Sequence, residues 1–291
     1  MLLIDILISG LILGGMYALV AMGLTLQYGV ARILNLAYGE VLVGSAFAAY
    51  VLFTGFSISP LLGLAIVLPL AFVVNWLIYR VMLTPLVKRA RTRTALEVDS
   101  ILATFGLLFV LQGIAFVVFG GQYYSYSYLS VPITLLGSTV SVNRVIALGF
   151  AALLGTGLYL ALTRTRWGTA IRAVAVNPAA AQLVAIDVRS VAAFAFALGG
   201  AMCAAGGVLT SMFLTFNAAM GVVFTMKALI VVIMGGVGNL LGALLAGLLL
   251  GLIETVVARL IDPGLTLAAT FTLFLAVLLI RPTGLLGRPA S

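Results

Sequence analysis

The chain has 291 residues, of which 64% are hydrophobic and only 8% are charged, and its net charge is +8. A soluble domain carries about 25% charged residues, so this composition excludes a soluble fold and makes the lipid bilayer the solvent. A chain that crosses a bilayer must satisfy its backbone polar groups internally, which only helices and closed barrels do. The apolar runs are continuous, as in Ile101–Phe119, and lack the alternation of barrel strands, so the sequence predicts helices.

In chain order, several apolar runs approach the length of about 20 residues that a membrane-spanning helix needs. The predicted helices are Ile4–Tyr28, Val41–Phe53, Pro60–Val81, Ser100–Phe119, Val145–Leu162, Val191–Leu214, Met226–Met234, Leu240–Val257 and Leu265–Ile280. Val41–Phe53 is short for a span on its own. Residues 215–258 fit either two crossings or a re-entrant segment followed by one crossing. The prediction is an all-α, polytopic transmembrane helical bundle of eight or nine spans with glycine-broken helices, in one domain covering residues 1–291.

Basic residues cluster in two stretches between these runs, Thr84–Asp99 and Thr163–Arg189. Lysine and arginine favour the cytoplasmic side of a membrane, so both stretches are predicted to face the cytoplasm. Alternation of the spans then places the N-terminus outside and the C-terminus inside. All but Arg144, Lys227 and Arg259 of the 15 basic residues face inward in this arrangement. Membrane orientation therefore accounts for the positive charge, and no nucleic-acid partner is expected.

Residues that usually carry chemistry are scarce. The chain has no histidine and one cysteine, Cys203, within an apolar run. This removes the commonest general base and metal ligand, and a lone cysteine has no metal-site spacing. The segment GGVGN, Gly235–Asn239, lacks the Lys and Ser/Thr ending of a phosphate-binding loop, so ATP binding by this chain is not expected. We predict no catalytic residue, no metal and no cofactor.

Two helix pairs are interrupted by glycine and polar residues, over Gln27–Glu40 and Met234–Ala243. Interrupted helices are the best sequence indication of a transporter's site. Glu40 is predicted either to cap the second helix at its positive end or to contact solute, with Arg32 as its ion partner. The candidate residues for a translocation pathway or gate are Asn35, Tyr38, Glu40, Gly235, Gly236, Gly238 and Asn239.

Two further features predict packing. Glycines recur on helix faces at Gly10–Gly14 and again at Gly242, Gly247 and Gly251, a spacing that lets helix backbones approach closely. Glu254 and Arg259 are predicted to form an ion pair at the surface.

The second basic stretch contains RWGTAIRAVAVNPAAAQLVAI. It predicts a helix over Gly168–Ala175, a stop at Asn177–Pro178 and a second helix over Ala179–Ile186. Apolar residues fall on one side of the first helix and basic residues elsewhere; they are Trp167, Ile171 and Val174, and Arg166 and Arg172. An amphipathic element of this kind either lies on lipid or docks a partner.

These segments together resemble the permease subunits of the branched-chain amino acid ABC transporter family, specifically the shorter permease, over nearly the whole chain. The matches lie in NLAYGE, at Asn35, Ala37, Gly39 and Glu40; in the second basic stretch, at Gly168, Arg172, Ala173, Asn177 and Ala181; in GGVGNLLGA, at Gly235, Gly236, Gly238, Gly242 and Ala243; and in the ending Arg281–Arg288. The chain departs from the family pattern at Tyr38, where His or Gln is frequent, and at Ala185, where Gly is frequent; we interpret the second as a packing change.

The resemblance implies an importer driven by ATP in the bacterial inner membrane. This chain would form half of the pathway and do no chemistry itself. Its partners would be a second homologous permease subunit, two ATP-binding subunits and a periplasmic solute-binding protein. The solute would be an amino acid, branched-chain in the first instance, or a related small solute such as urea or an amide. The stretch of about residues 163–190 would be the ATPase coupling loop, with contacts from Arg166, Trp167, Gly168, Arg172, Ala173 and Asn177.

Two other classes remain open. A passive channel or ion-coupled carrier would need a paired ion site within the membrane, for which the sequence offers Glu40. An intramembrane enzyme would need paired carboxylates or histidine in the apolar runs, which are absent from the sequence.

Overall fold

The computed structural model describes residues 2–90, 92–135 and 137–287. The α-helices in these ranges are α1 Leu2–Ala31, α2 Tyr38–Phe56, α3 Pro60–Ile78, α4 Thr84–Arg89, α5 Arg93–Phe119, α6 Val142–Arg164, α7 Arg166–Val176, α8 Pro178–Leu183, α9 Val188–Ser211, α10 Gly221–Gly235, α11 Leu240–Leu260 and α12 Thr266–Ile280. A π-turn, Tyr79–Leu83, joins α3 to α4, and a 3₁₀ turn, Pro263–Leu265, precedes α12. Arg91 and Arg288, which entered the orientation prediction, lie outside the described residues.

Eight helical segments of the described chain are long and apolar enough to cross a membrane, judged by length and composition. They are Leu2–Ala31, Tyr38–Phe56, Pro60–Arg89, Thr94–Phe119, Val142–Arg164, Val188–Ser211, Leu240–Leu260 and Pro263–Ile280. The prediction of a polytopic helical bundle is confirmed. Residues 215–258 contain one candidate span, α11, preceded by the shorter α10 of 15 residues.

The centre of the bundle is built by α1 and α9, whose residues are the most completely buried. The predicted glycine packing is confirmed where α1 crosses α11. A Cβ atom at Gly14 would lie 2.8 Å from Cα of Leu248, and one at Gly247 would lie 2.6 Å from Cα of Ala18. Neither contact leaves room for a side chain, so the two backbones touch. The helices α5 and α12 instead expose most of their apolar side chains, as helices that face lipid do.

A short antiparallel hairpin, which the sequence did not predict, lies between α5 and α6. It pairs β1, Pro132–Leu135, with β2, Ser138–Ser141. The tyrosines that precede it pack on aromatic residues of α2: Tyr124 lies edge-on to Phe47 at 5.4 Å between ring centroids. The tyrosine-rich loop therefore forms a cap over one end of the bundle.

The two ends of α1 define the two ends of the molecule, since a helix of 30 residues is about 45 Å long. Near its start, Asp5 accepts a hydrogen bond from Ser138 (3.1 Å) and pairs with Arg259 (3.4 Å). Near its end, Gly29 lies against Gly238, and the following Arg32 contacts α7. The hairpin and the α11–α12 turn thus share one end, and α7 and the GGVGN segment share the other.

Candidate functional site

The first interruption separates α1 from α2. Arg32 has a φ of 55°, a left-handed conformation that turns the chain out of α1. Asn35 is buried, and its Nδ2 donates to Oε1 of Gln27 at 3.2 Å. Gln27 in turn donates to the carbonyl oxygen of Phe196 on α9 at 2.8 Å. Asn35 is therefore tied through Gln27 to the central helix of the bundle.

Two threonines from other helices satisfy the backbone of this interruption. Thr104 on α5 donates to the carbonyl of Leu34 (2.9 Å) and accepts the N–H of Leu36 (3.2 Å). Thr225 on α10 accepts the N–H of Gly39 at 2.8 Å and donates to the carbonyl of Leu36 at 3.2 Å. Lipid offers no hydrogen bonds, so non-helical backbone within a membrane bundle needs partners of this kind.

The helix α2 begins inside the bundle. The Tyr38 side chain is fully buried, and its hydroxyl donates to the carbonyl of Val20 (2.7 Å), well inside α1. The Tyr38 carbonyl accepts the thiol of Cys203 (3.1 Å), in the second half of α9. The chain therefore folds back from the end of α1 to start α2 beside the middle of α1 and α9. This is the broken-helix arrangement that the sequence predicted for Gln27–Glu40.

Glu40 lies where the N-termini of two helices meet. It belongs to the first turn of α2, and its carboxylate packs directly on Gly221, the first residue of α10. The partial positive charges of both termini favour an anion here. Glu40 is 4% exposed, and its Oε1 has no hydrogen-bond partner among the described residues. A buried carboxylate oxygen in this state offers a place for a donor or cation that the chain does not supply.

Two expectations about Glu40 were wrong. It lies in the first turn as expected, but the cap position is Ala37, and the first-turn N–H of Gly39 is accepted by Thr225 of α10 and not by Glu40. Arg32 is not its ion partner, because Nη2 of Arg32 donates to the carbonyl of Ala175 on α7 at 3.0 Å. Arg32 lies at the end of α1, whereas Glu40 lies in α2, after the chain has folded back into the bundle. The two charged side chains are therefore in different regions of the molecule.

The second interruption, Gly236–Asn239, joins α10 to α11. Gly236 and Gly238 have φ values of 100° and 81°, which only glycine adopts readily. Asn239 caps α11: its Oδ1 accepts the N–H of Gly242 at 3.0 Å. Its Nδ2 donates to the carbonyl of Leu286 at 2.8 Å. The interruption is therefore a tight turn held by its own cap and by the C-terminal segment.

The same C-terminal segment covers Gly235. The N–H of Leu286 donates to the carbonyl of Gly235 at 3.2 Å, and that of Leu285 donates to the carbonyl of Met234 at 2.8 Å. A Cβ atom at Gly235 would lie 2.5 Å from the carbonyl carbon of Gly242. Gly235 and Gly236 are thus buried at backbone contacts, and Gly238 and Asn239 are the members of this group that reach open space.

That open space is a cavity of about 680 Å³ bounded by the ends of α1 and α6, by α7 and by the second interruption. We call it the arginine cavity; its wall includes Arg32, Arg172, Gly238 and Asn239. The structure therefore brings the second interruption together with the predicted coupling loop. Tyr38 and Glu40 lie at a separate place, beside the start of α10.

The predicted coupling loop consists of α7 and α8, outside the eight candidate spans. The Thr165 hydroxyl accepts the N–H of Gly168 (3.0 Å) at the start of α7, and Oδ1 of Asn177 accepts the N–H of Ala180 (3.1 Å) at the start of α8. The helix–stop–helix pattern is confirmed. Local caps decide it, which is why the sequence was sufficient.

Only part of the predicted apolar side of α7 is buried. Ile171 and Val174 pack inward, and Gly168 lies against the last carbonyls of α6. Trp167 is 63% exposed, although its ring stacks on Phe194 of α9 with 5.4 Å between the ring centroids. Arg166, Arg172 and Asn177 are exposed and Ala173 is half-buried.

The far side of the helix pair exposes apolar side chains to an unusual degree. Val176, Leu183 and Val184 are 80%, 88% and 69% exposed. The next residue, Ala185, has a φ of 59°, a left-handed conformation that glycine would adopt with less strain, so backbone conformation as well as packing bears on this position. Asp187 caps the start of α9. Hydrogen bonds from the hydroxyl and the backbone N–H of Ser190 hold the pKa of Asp187 below its usual value, so this carboxylate stays ionised.

Sequence reasoning missed a buried ion pair that joins four helices. Lys227 of α10 pairs with Glu254 of α11 at 2.9 Å. Tyr17 of α1 donates to Oε2 of Glu254 at 2.7 Å, and Thr270 of α12 donates to Oε1 at 2.5 Å. The prediction of a Glu254–Arg259 pair was wrong, because Glu254 faces the bundle and Arg259 pairs with Asp5. The available signal was two opposite charges in neighbouring apolar runs, which rarely remain unpaired.

Eight candidate spans, helices that begin inside the bundle and an exposed amphipathic helix pair together define a polytopic membrane transport protein. Residues 6–281 match the family model described as the branched-chain amino acid transport system permease component, and the chain belongs to that family. It is therefore a permease subunit of an ABC-type transporter and a multi-pass membrane protein.

Similar curated proteins span almost the same length. The chain is 30% identical to the high-affinity branched-chain amino acid transport system permease protein BraD of Pseudomonas aeruginosa, over 97% of this chain and 95% of that protein. It is 29% identical to LivH of Escherichia coli K12, over 97% and 94%. It is 27% identical to the probable LivH permease of Methanocaldococcus jannaschii, over 97% and 92%. No solved structure matches the chain.

Proposed function

We propose that this chain forms half of the translocation pathway of an ATP-driven importer for amino acids with branched aliphatic side chains. The names of its relatives support this solute class, and urea or small amides are the related solutes to compare. A second homologous permease would complete the pathway. Two ATP-binding subunits would bind on the α7–α8 side, and a periplasmic solute-binding protein would bind on the hairpin side. In this arrangement the N-terminus would lie outside and the C-terminus inside a bacterial inner membrane, with the short α10 returning the chain to the inner side in addition to the eight candidate spans.

The observation that carries the proposal is the connection between α7 and the first interruption. Exposed Val176, Leu183 and Val184 give the helix pair an apolar surface for an ATP-binding subunit. Arg32 donates a hydrogen bond to the carbonyl oxygen of Ala175 in the last turn of α7. The positive charge of Arg32 therefore also lies at the negative end of the α7 dipole. A displacement of α7 would therefore act on the end of α1 and on the chain that leads to Glu40.

The pathway itself is proposed to pass the first turn of α2. Solutes in broken-helix transporters bind beside the N-termini of half-helices. Asn35 and Tyr38 hold that turn in place, and Glu40 offers to the ammonium group of an amino acid its Oε1, which has no partner in the described part of the chain. The glycines 235, 236 and 238, with Asn239, would serve as the turn about which α10 moves relative to α11.

Glu40→Gln is expected to raise the KM for solute uptake by roughly 10- to 100-fold, because a hydrogen bond to a charged group contributes about 1.5–3 kcal/mol. Radiolabelled leucine uptake by the reconstituted complex measures this. The variant should fold as well as the parent, since Oε1 of Glu40 has no partner in the described chain. An unchanged KM for leucine would show that Glu40 does not contact the solute in the pathway.

The reconstituted importer is the decisive experiment. We expect solute uptake only when the solute-binding protein and ATP are supplied on opposite sides of the vesicle membrane, and none from this chain alone. Arg172→Glu should leave ATP hydrolysis in place and lower the solute moved per ATP by about tenfold or more, because charge reversal at a docking surface costs several kcal/mol. Arg144→Glu, at the opposite end of the bundle, is the matched control.

Uptake by the isolated chain would contradict the proposal, and so would normal coupling in the Arg172→Glu complex. The ligand of the solute-binding protein, measured by calorimetry with leucine, urea and acetamide, decides the solute class.

A second candidate is an ion-coupled carrier or passive channel. The buried Lys227–Glu254 pair is the observation that bears on it, because such a carrier needs a paired ion site within the membrane. In that pair the lysine ammonium already occupies the place of a coupling cation, and Tyr17 and Thr270 fill the remaining contacts of the carboxylate. The pair therefore favours a structural role. Uptake driven by an ion gradient without ATP would support the carrier instead.

A further inference from the structure

The arginine cavity has the electrostatic character of an anion site. Its wall carries the guanidinium groups of Arg32 and Arg172, and none of the described residues that line it is acidic. Neither arginine forms an ion pair with a described carboxylate. Arg32 uses one donor on Ala175 and retains others, since a guanidinium has five N–H groups.

Two further groups in the wall favour an anion. The first turn of α11 borders the cavity at Leu240 and Leu241, and a helix N-terminus presents backbone N–H groups and partial positive charge. Thr25 also lines the cavity; it is 2% exposed, and its hydroxyl has no partner among the described residues. An unpartnered buried hydroxyl is a group that a ligand can satisfy.

An apolar groove of about 310 Å³ lies next to this cavity, between α1, α6 and α11. The two spaces share Tyr159 and Leu241 in their walls. Small residues create the groove, among them Gly15 and Ala18 on α1 and Gly155 on α6. Ala152 and Thr156 on its rim are exposed on the lipid-facing side of α6, so an acyl chain can enter from the bilayer.

We propose that these two adjoining spaces bind one anionic phospholipid, with its phosphate at Arg32 and Arg172 and one acyl chain in the groove. Basic pockets between membrane helices are known to hold acidic lipid headgroups. A soluble phosphate ester would fit the two arginines, but it has no apolar chain that would fill the adjoining groove. The site is separate from Glu40 and does not depend on the proposed solute.

Lipid retention by the full chain tests the site. The protein in detergent, supplied with phosphatidylglycerol or phosphatidylcholine of the same acyl chains, is analysed by native mass spectrometry. We expect one tightly held phosphatidylglycerol and no comparable phosphatidylcholine. Arg32→Gln should weaken retention about fivefold, the change that corresponds to about 1 kcal/mol for one basic residue at a lipid surface. Arg172→Gln, at an exposed side chain, should do the same without affecting folding.

Matched variants separate the headgroup from the groove. Ala152→Phe fills the groove from its exposed rim and should weaken retention, whereas Leu153→Phe, one residue away and outside the groove, should not. Arg144→Gln, at the other end of the bundle, should retain lipid normally. Equal binding of the two lipids, or unchanged retention in both arginine variants, would overturn the proposal. Displacement of the lipid by glycerol 3-phosphate would show a soluble phosphate site and overturn it too.

Discussion

Lys227→Met is expected to lower the free energy of unfolding by about 3–5 kcal/mol, because it leaves a buried charge without its partner. Glu254 is 3% exposed, and Lys227 provides its only countercharge among the described residues. The hydrogen bonds from Tyr17 and Thr270 would remain, but neither group neutralises the carboxylate. Unfolding in mixed micelles, followed by tryptophan fluorescence, measures the loss.

The double variant Lys227→Met with Glu254→Gln should recover most of that loss, because replacing a buried ion pair by neutral groups is often neutral or stabilising. Arg259→Met is the matched control. Its pair with Asp5 is 3.4 Å long and half-exposed, so its loss should cost no more than about 1 kcal/mol. A Lys227→Met protein as stable as the parent would show that Glu254 is not held as a charged group by Lys227.

This pair illustrates what sequence reasoning could not reach. The side chains of Tyr17 and Glu254 meet across 237 residues of sequence, and those of Lys227 and Glu254 across 27. Which charges meet depends on how the helices rotate and cross, and a hydropathy pattern does not contain that information. The nearest opposite charge in sequence, Arg259, was therefore the wrong choice.

Features governed by local chemistry were predictable. The last helix was expected over Leu265–Ile280 and runs over Thr266–Ile280. The stop at Asn177–Pro178 was predictable because the preference of Asn for the cap position and of Pro for the first helical position is local and does not depend on tertiary contacts. The membrane bundle itself followed from composition alone, since no soluble fold can bury so many apolar side chains.

The candidate site was predicted in part. Gln27–Glu40 was recognised as a broken helix from its glycines and polar residues. The second break was grouped with it as part of one pathway, whereas in the structure the carboxylate of Glu40 packs on the start of α10 at Gly221. The segment around Gly221 carries no charged residue and no turn signal strong enough to single it out, so only the folded chain reveals it.

Gly39→Ala is expected to have the largest effect of any single methyl group added to α2. The Gly39 Cα lies directly against the backbone carbonyl of Gly221 and the Thr225 side chain, with no space for a Cβ. Adding atoms to a closed contact costs about 1–3 kcal/mol, and the upper end applies because a backbone carbonyl cannot rotate away. The Gly39 N–H to Thr225 hydrogen bond of 2.8 Å would be strained at the same time.

Gly44→Ala provides the control within the same helix. A Cβ atom at Gly44 meets nothing within 4 Å, so alanine should be neutral or stabilise α2 by up to about 1 kcal/mol through helix propensity. Both variants are compared by unfolding in mixed micelles and by uptake in the reconstituted complex. Gly39→Ala should also displace Glu40 from the start of α10 and lose uptake, whereas Gly44→Ala should keep it. Equal stability of the two variants would mean that α2 and α10 do not make the close contact on which the proposed site depends.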